Sequence, residues 1–252
     1  MLWLGTSFKM TKTRAEAVAY ARALRAGRTR DPGGVRPFVV PPATSLPEVA
    51  EALGPESPIL LGAQNAHWAE SGAWTGELSV GQVADAGARI VEIGHAERRR
   101  HFAETDETVN RKVRATLAHG LIPLVCVGED AEVAAAGRSV EHVVAQTEAA
   151  LDGCADPSSV LLAYEPVWAI GEHGRLPKAA DVAPVMAALH DRFGGDIEAV
   201  LYGGSVNLDN AAALLAVPGT GGLFVGRAAW QVEGMLALLA LADDHLRAVS
   251  SR

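Results

Sequence analysis

Eight short apolar runs, spread along the whole chain, constrain the fold more than any other feature of this sequence. They occupy residues 2–5, 37–40, 59–63, 89–93, 122–127, 160–164, 199–202 and 223–225. Several are continuous rather than alternating in polarity, the pattern of parallel strands buried on both faces. The segments between them read as helices. The clearest covers 105–119: Thr105 caps it, Asp106 and Glu107 fill the electropositive first turn, and Val109, Val113 and Leu117 form one stripe before Gly120 ends it. The last shows Val232, Met235, Leu236 and Leu239 at helical spacing. Eight strand–helix units in 252 residues leave about 31 residues each, and a βαβ unit takes roughly 30. The expectation is an α/β fold, a (β/α)8 barrel forming a single domain over residues 1–252. An open doubly wound sheet would want a glycine-rich dinucleotide turn after the first strand. Gly5-Thr6-Ser7-Phe8-Lys9-Met10 is not one.

Composition narrows the partners. With 49% hydrophobic and 21% charged residues the chain can build a sizeable core. Its net charge of −8 argues against nucleic acid, which needs a basic face. The start, Met-Leu-Trp-Leu-Gly, has no basic segment followed by a long apolar one, and no run approaches the length of a membrane span. Two cysteines, Cys126 and Cys154, do not make a disulfide framework. These features together point to the cytoplasm.

In a barrel of this kind the chemistry sits at the C-terminal ends of the strands. Those ends carry Ser7 and Lys9, Gln64 and Asn65, His95 and Glu97, Glu129, Glu165, Gly203-Gly204-Ser205, and Gly226. Taken singly, each has a plain reading: Lys9 as a solvated loop cation, His95 as one of eight histidines satisfied in a core. Glu165 is harder to dismiss, because a carboxylate directly after a buried strand needs a partner or a task. Loops after the seventh and eighth strands often hold phosphate through backbone N–H groups. A base, a cation, an imidazole and such a cradle suggest proton transfer beside the carbonyl of a phosphorylated substrate. A metal reading of His95 and Glu97, with His67 and His101 nearby, lacks ligand-like spacing. The run Arg98-Arg99-Arg100 reads as a salt-bridged helix or a subunit contact.

Gly94-His95-Ala96-Glu97-Arg98-Arg99, Cys126-Val127-Gly128-Glu129, the eleven residues 162–172 and Tyr202-Gly203-Gly204-Ser205-Val206 together resemble the triosephosphate isomerase family, in order, from Gly5 to Trp230. The resemblance, rather than the spacing, implies the roles. Glu165 would move a proton between adjacent carbons, and His95 would polarise the carbonyl as a neutral imidazole. Lys9 would stabilise the enediolate, with Glu97 orienting it. Gly171, Gly204, Ser205 and Gly226 would hold the phosphate. Residues 166–178, with Pro166, Trp168 and Gly171, would form a lid. Asn65, Thr75 and Glu77 resemble a loop that enters a second subunit, so a homodimer is implied. Neither cofactor nor metal is implied; the partner is a small phosphorylated sugar.

Four departures fall at the site. Ser7-Phe8-Lys9 replaces the family's Asn-x-Lys, and Gly94-His95-Ala96-Glu97 its Gly-His-Ser-Glu. Residues 171–178 replace the usual lid ending, and Gly226-Arg227 a Gly-Gly pair, leaving Arg227 to face phosphate, substrate hydroxyl or solvent. Ser7 and Ala96 both remove side-chain atoms beside the reacting carbons, and an extra hydroxymethyl group on the substrate would fill that space. Residues 5–10, 170–174 and 222–227 are similar to a branch of the family, the erythrulose-phosphate isomerases. Dihydroxyacetone phosphate and a four-carbon ketose phosphate therefore both stand as substrates. From another class, a catalytically reduced barrel that binds a phosphorylated metabolite as a sensor or partner protein has only Ser7 and Ala96 in its favour.

Overall fold

Parallel strands cannot pair edge to edge without a crossover, and here each crossover carries helix that covers the outer face of the sheet. In the computed structural model, which describes residues 1–28, 34–170 and 175–250, β1 (Leu2–Ser7), β2 (Val35–Val40), β3 (Leu60–Ala63), β4 (Ile90–Ile93), β5 (Ile122–Val127), β6 (Leu161–Tyr164), β7 (Ala199–Gly203) and β8 (Gly222–Val225) pair in chain order. The sheet closes where β8 meets β1, with Leu4 opposite Leu223. Around it run α1 (Arg14–Gly27), α2 (Leu46–Leu53), α3 (Val80–Asp85), α4 (Ala96–His101), α5 (Asp106–Ala118), α6 (Ala131–Ala135), α7 (Ser139–Leu151), α8 (Ala179–Phe193), α9 (Ala211–Leu215) and α10 (Val232–Ser250). The fold is the expected (β/α)8 barrel.

Two hydrophobic layers follow from the period-two alternation of each strand. Inward-facing Trp3, Phe38, Val40, Ile90, Leu124, Cys126, Leu161, Ala163, Leu201 and Phe224 fill the barrel. The rings of Phe38 and Phe224, from the two strands that flank β1, stack over Gly5 at 5.8 Å. Gly5 makes that possible: a Cβ there would stand 2.1 Å from the Phe38 ring. Outward-facing residues such as Val39, Val91, Val125 and Leu162 pack against the helices.

The segment read as 105–119 is α5, and Thr105 caps it through a reciprocal box with Thr108. β1 runs to Ser7 rather than ending at Gly5, because pairing with Val40 of β2 carries it past the apolar run. Ser7 is therefore held by the sheet itself. In the last helix the buried stripe is Met235, Leu238, Leu239 and Ala242. Val232 and Leu236 sit at its margin, partly buried. The crossovers after β4 and β5 each contain two helices, a short one followed by a longer one.

The first and last helices are tied together. Arg28, at the end of α1, donates both terminal nitrogens to Asp243 of α10, at 2.5 and 3.1 Å, and both side chains are largely buried. Removing one partner of such a pair leaves a buried charge uncompensated. Asp243→Ala should lower unfolding free energy by about 3 kcal/mol in denaturant titration, with kcat unchanged because the pair lies outside the site.

Candidate active site at the barrel mouth

One cavity of about 500 Å³ opens at the C-terminal ends of the strands. Ser7, Lys9, His95, Glu97, Glu165, Gly204, Ser205, Gly226 and Arg227 line it, so most of the residues singled out in the sequence meet here. Glu165 follows β6 directly and its N–H donates to the Val127 carbonyl at 2.7 Å, which fixes the backbone but leaves the carboxylate free to turn. Room for that carboxylate comes from Gly203, where a Cβ would lie 2.7 Å from Glu165 Cγ. Its Oε2 is buried with no hydrogen-bond partner among the described residues and stands 3.7 Å from His95 Nε2. A carboxylate so placed is poised to take a proton from something that enters the cavity.

His95 caps α4, its Nδ1 accepting the Glu97 N–H at 3.1 Å. A ring nitrogen that accepts a backbone N–H carries no proton, so the ring presents Nε2–H to the cavity as a donor. Lys9 stands in the left-handed region at φ 50° and is held there by Gln64, whose amide donates to the Lys9 carbonyl at 2.8 Å. Its ammonium donates to Glu97 at 2.7 Å. Burial pulls that ammonium down, but the Glu97 hydrogen bond and the charges of Glu165, Glu97 and Glu92 outweigh it and hold its pKa above the ordinary value. Lys9 is thus a permanent cation beside the Glu165–His95 pair.

The other end of the cavity is built for an anion. Gly204, Ser205, Gly226 and Arg227 converge there from the ends of β7 and β8. Ser205, also left-handed at φ 49°, donates its hydroxyl to the Ala169 carbonyl at 2.5 Å and so ties this loop to the segment after Glu165. In that segment Pro166 is buried, and Trp168 donates its indole N–H at 2.8 Å to Glu129, which also accepts the Tyr164 hydroxyl. Arg175 covers the Trp168 ring, 4.6 Å from its centroid. Gly171, expected to bind phosphate and to form part of the lid, lies outside the described residues.

Asn65, Thr75 and Glu77 stand apart from the cavity. Asn65 accepts from Lys112 at 2.8 Å. Thr75 and Glu77 are exposed on a loop where His67 stacks between Trp68 and Trp74. The arginine run forms salt bridges, Arg98 to Glu104 and Arg99 to Asp106, both at 2.6 Å. Among the described residues no cluster of His, Cys, Asp and Glu is arranged to hold a metal, and no helix is long and apolar enough to cross a membrane.

The sequence reading missed Glu92. It sits inside an apolar run and passes for part of a buried strand. Counting by two from the inward-facing Ile90 would have placed its carboxylate inside the barrel. It is 4% exposed. Burial pushes its pKa up to about 7, partly opposed by the nearby His95 ring and reinforced by the charge of Glu165, with the Ser7 hydroxyl and Lys9 pulling it down.

A barrel whose mouth gathers a carboxylate with one oxygen unpartnered, an Nε2–H imidazole, an ion-paired lysine and an anion cradle is laid out for shifting a proton along a phosphorylated carbon chain. Comparison with known proteins gives the same class. Residues 2–242 match the family model described as triosephosphate isomerase. An L-erythrulose-1-phosphate isomerase of Mycolicibacterium smegmatis is 51% identical over 98% of this chain and 95% of its own length. One of Mesorhizobium japonicum is 47% identical over 96% and 97%. The crystal structure of triosephosphate isomerase from Bartonella henselae superposes with a TM-score of 0.85 at 34% identity, covering 96% of this chain and 98% of that one. The chain belongs to the triosephosphate isomerase family.

The raised pKa of Glu92 has a consequence for stability. Between pH 4.5 and about 7 the folded protein holds a proton that the unfolded chain has lost. Stability therefore falls as pH rises through that window, and above it the buried carboxylate costs on the order of 3 kcal/mol. Glu92→Gln should stabilise the protein relative to wild type at about pH 8.5 and much less at about pH 5, as read by denaturant titration at both values.

Proposed function

We propose that the protein interconverts L-erythrulose 1-phosphate and D-erythrulose 4-phosphate without a cofactor. Glu165 removes the proton from the hydroxyl-bearing carbon next to the carbonyl, giving a cis-enediolate. His95, donating from Nε2, stabilises the oxygens as charge moves between them, and Lys9 lowers the energy of the negative charge. Glu165 then returns the proton to the neighbouring carbon while the hydroxyl proton passes to the former carbonyl oxygen by way of His95, so one C–H and one O–H bond break, one of each forms, and the carbonyl has moved by one position. Glu97 keeps the Lys9 ammonium over the site. The N–H groups around Gly204, Ser205 and Gly226 receive the phosphate, with Gly171 and Arg227 assigned to the same end. The segment from Pro166 through Trp168 serves as the stem of a lid, and the site of action is the cytoplasm.

The observation that carries the isomerase reading is the Glu165 carboxylate, whose Oε2 has no hydrogen-bond partner among the described residues and stands 3.7 Å from a His95 Nε2 that can only donate. For the four-carbon substrate the support is twofold. The relatives at 46–51% identity are named L-erythrulose-1-phosphate isomerases, and Ser7 lines the cavity where a hydroxymethyl group would sit, whereas Ala96 lines a neighbouring cavity instead. Dihydroxyacetone phosphate, which has only hydrogen at that position, is the second reading, favoured by the family resemblance alone. A sensor without activity is not favoured, because every catalytic group of the reading meets in one cavity.

With purified enzyme, kcat/KM for L-erythrulose 1-phosphate should exceed that for dihydroxyacetone phosphate by at least about tenfold. Glu165→Gln should lower kcat by roughly three orders of magnitude or more while KM changes little. A higher kcat/KM for the triose would give the second reading, and an unchanged kcat in the variant would remove the assigned base.

We also infer a homodimer. Its support is the resemblance of Asn65, Thr75 and Glu77 to an inserting loop and the exposure of large apolar groups at Met10, Trp74, Leu78 and Phe102. Light scattering should give twice the chain mass, and Thr75→Arg should shift it toward one chain.

A further inference from the structure

Lys9 reaches the cavity from a backbone conformation that its residue type does not favour. At φ 50° it lies in the left-handed region, and a residue other than glycine stays there only where its surroundings fix it. Three successive carbonyls provide that fixing. Ser7 accepts the indole N–H of Trp230 at 2.9 Å, Phe8 accepts the Thr11 hydroxyl at 2.7 Å, and Lys9 accepts the Gln64 amide at 2.8 Å. The Thr11 bond is local. Gln64 follows β3, and Trp230 comes from 223 positions further along the chain than Ser7, at the end of the turn after β8.

That turn also forms part of the anion end of the cavity. Gly226 and Arg227 open it, the Ala229 N–H closes on the Gly226 carbonyl at 2.9 Å, and Trp230 lines the cavity with them. A second bond fastens the turn to α1. The buried Tyr20 hydroxyl donates to the Ala229 carbonyl at 2.7 Å, and the Tyr20 ring meets the fully buried Phe8 ring edge to face, with centroids 4.7 Å apart. Trp230 therefore holds the residue before Phe8, and Tyr20 holds Phe8 itself, the neighbour of Lys9. Tyr20 stands outside the cavity lining. The loop after β7 is fastened elsewhere, through the Ser205 hydroxyl to Ala169, beyond Glu165. Of the two loops at the anion end, the one after β8 is thus tied to Lys9 and the one after β7 to the segment that follows the catalytic acid.

We propose that Trp230 and Tyr20 are positioning residues for the isomerisation. They fasten the turn that receives the phosphate to the loop that carries Lys9, and so keep the ammonium at one distance from the seated phosphate. Both substrates considered above carry the phosphate on the carbon next to the carbonyl, so the oxygen that gains negative charge lies at a set distance from it. Stabilising that charge requires the ammonium to be in place beforehand, and a displacement of about 1 Å can cost on the order of a hundredfold in rate. The assignment rests on the isomerase reading given above, whichever of the two substrates is preferred.

The test measures kcat and KM for Trp230→Phe and Tyr20→Phe, each with Lys9 present and in a Lys9→Met background, on whichever of L-erythrulose 1-phosphate and dihydroxyacetone phosphate the wild type turns over. The Lys9→Met series is run at enzyme concentrations high enough to follow the residual turnover. Both substitutions remove a donor and keep a ring. Trp230→Phe should lower kcat about tenfold and Tyr20→Phe about threefold, with KM within about threefold and the same loss on every substrate turned over. With Lys9→Met in place neither should cost more than about twofold further, because no ammonium remains to be positioned. Where Trp230→Phe does not fold, as read by circular dichroism, Tyr20→Phe carries the test alone. An unchanged kcat in Trp230→Phe overturns the assignment, and so does an effect on KM alone. Equal losses with and without Lys9 mark a structural role and overturn it as well. A loss in Trp230→Phe with none in Tyr20→Phe makes Trp230 a substrate contact and ends the fastening role. A wild type that isomerises neither substrate removes the functional reading and this one with it, whereas an active wild type with any of the overturning results removes the fastening alone.

Discussion

Everything at the mouth of this barrel depends on the closure of β8 onto β1. Once Leu4 stands opposite Leu223 the sheet has no edge, and every strand runs in the same direction around one axis. Side chains that follow β1, β4, β6, β7 and β8 then share a single cavity although they lie up to more than two hundred positions apart in the chain. Closure also makes the interior a filled core, with Phe38 and Phe224 stacked over β1 where the ring closes. The polar groups above that core face a low-dielectric floor, where each charge has large effects on its neighbours.

The electrostatic balance of the site follows from that floor. Glu92, Glu97 and Glu165 bring three acids to one place, and Lys9 is the cation the sequence supplies beside them. Mutual support between Lys9 and Glu97 keeps both ionised: the ammonium is held above its usual pKa and the Glu97 carboxyl below its own despite its burial. Glu92, the most enclosed of the three, is pushed to about 7, by burial first and by the charge of Glu165 second. Cys126 on the neighbouring strand is driven up by burial and by the charges of Glu165 and Glu92, so it behaves as a neutral core residue. Lysine and arginine elsewhere serve the frame, as in the Arg98–Glu104 pair and the Arg28–Asp243 tie between the first and last helices.

Much of this was legible in the sequence. Eight apolar runs and their spacing define the barrel, because a strand buried on both faces has to be apolar throughout. Glu165, His95 and Lys9 were visible because each follows such a run, where the barrel puts its chemistry. Less visible was the support. Gln64 holding the Lys9 carbonyl, Gly203 yielding space to Glu165 and Glu129 gripping Trp168 are contacts between residues far apart in the chain, and no local pattern records them. Glu92 was hidden for another reason: one acid among isoleucines and valines hardly alters the apolar character of a run.

By itself the sequence determined the class of fold and the kinds of group at the strand ends, since both follow from local periodicity and from which residues interrupt it. Only the tertiary structure decided which of those groups meet and in what state. The direction of the His95 proton is set by a backbone N–H of the following helix, and the ionisation of Lys9 by a carboxylate 88 positions away. Whether Glu92 faces helix or barrel axis is settled by the register of β4 against its neighbours. Distances and burial fix charge states, and they exist only once the strands have closed into a ring.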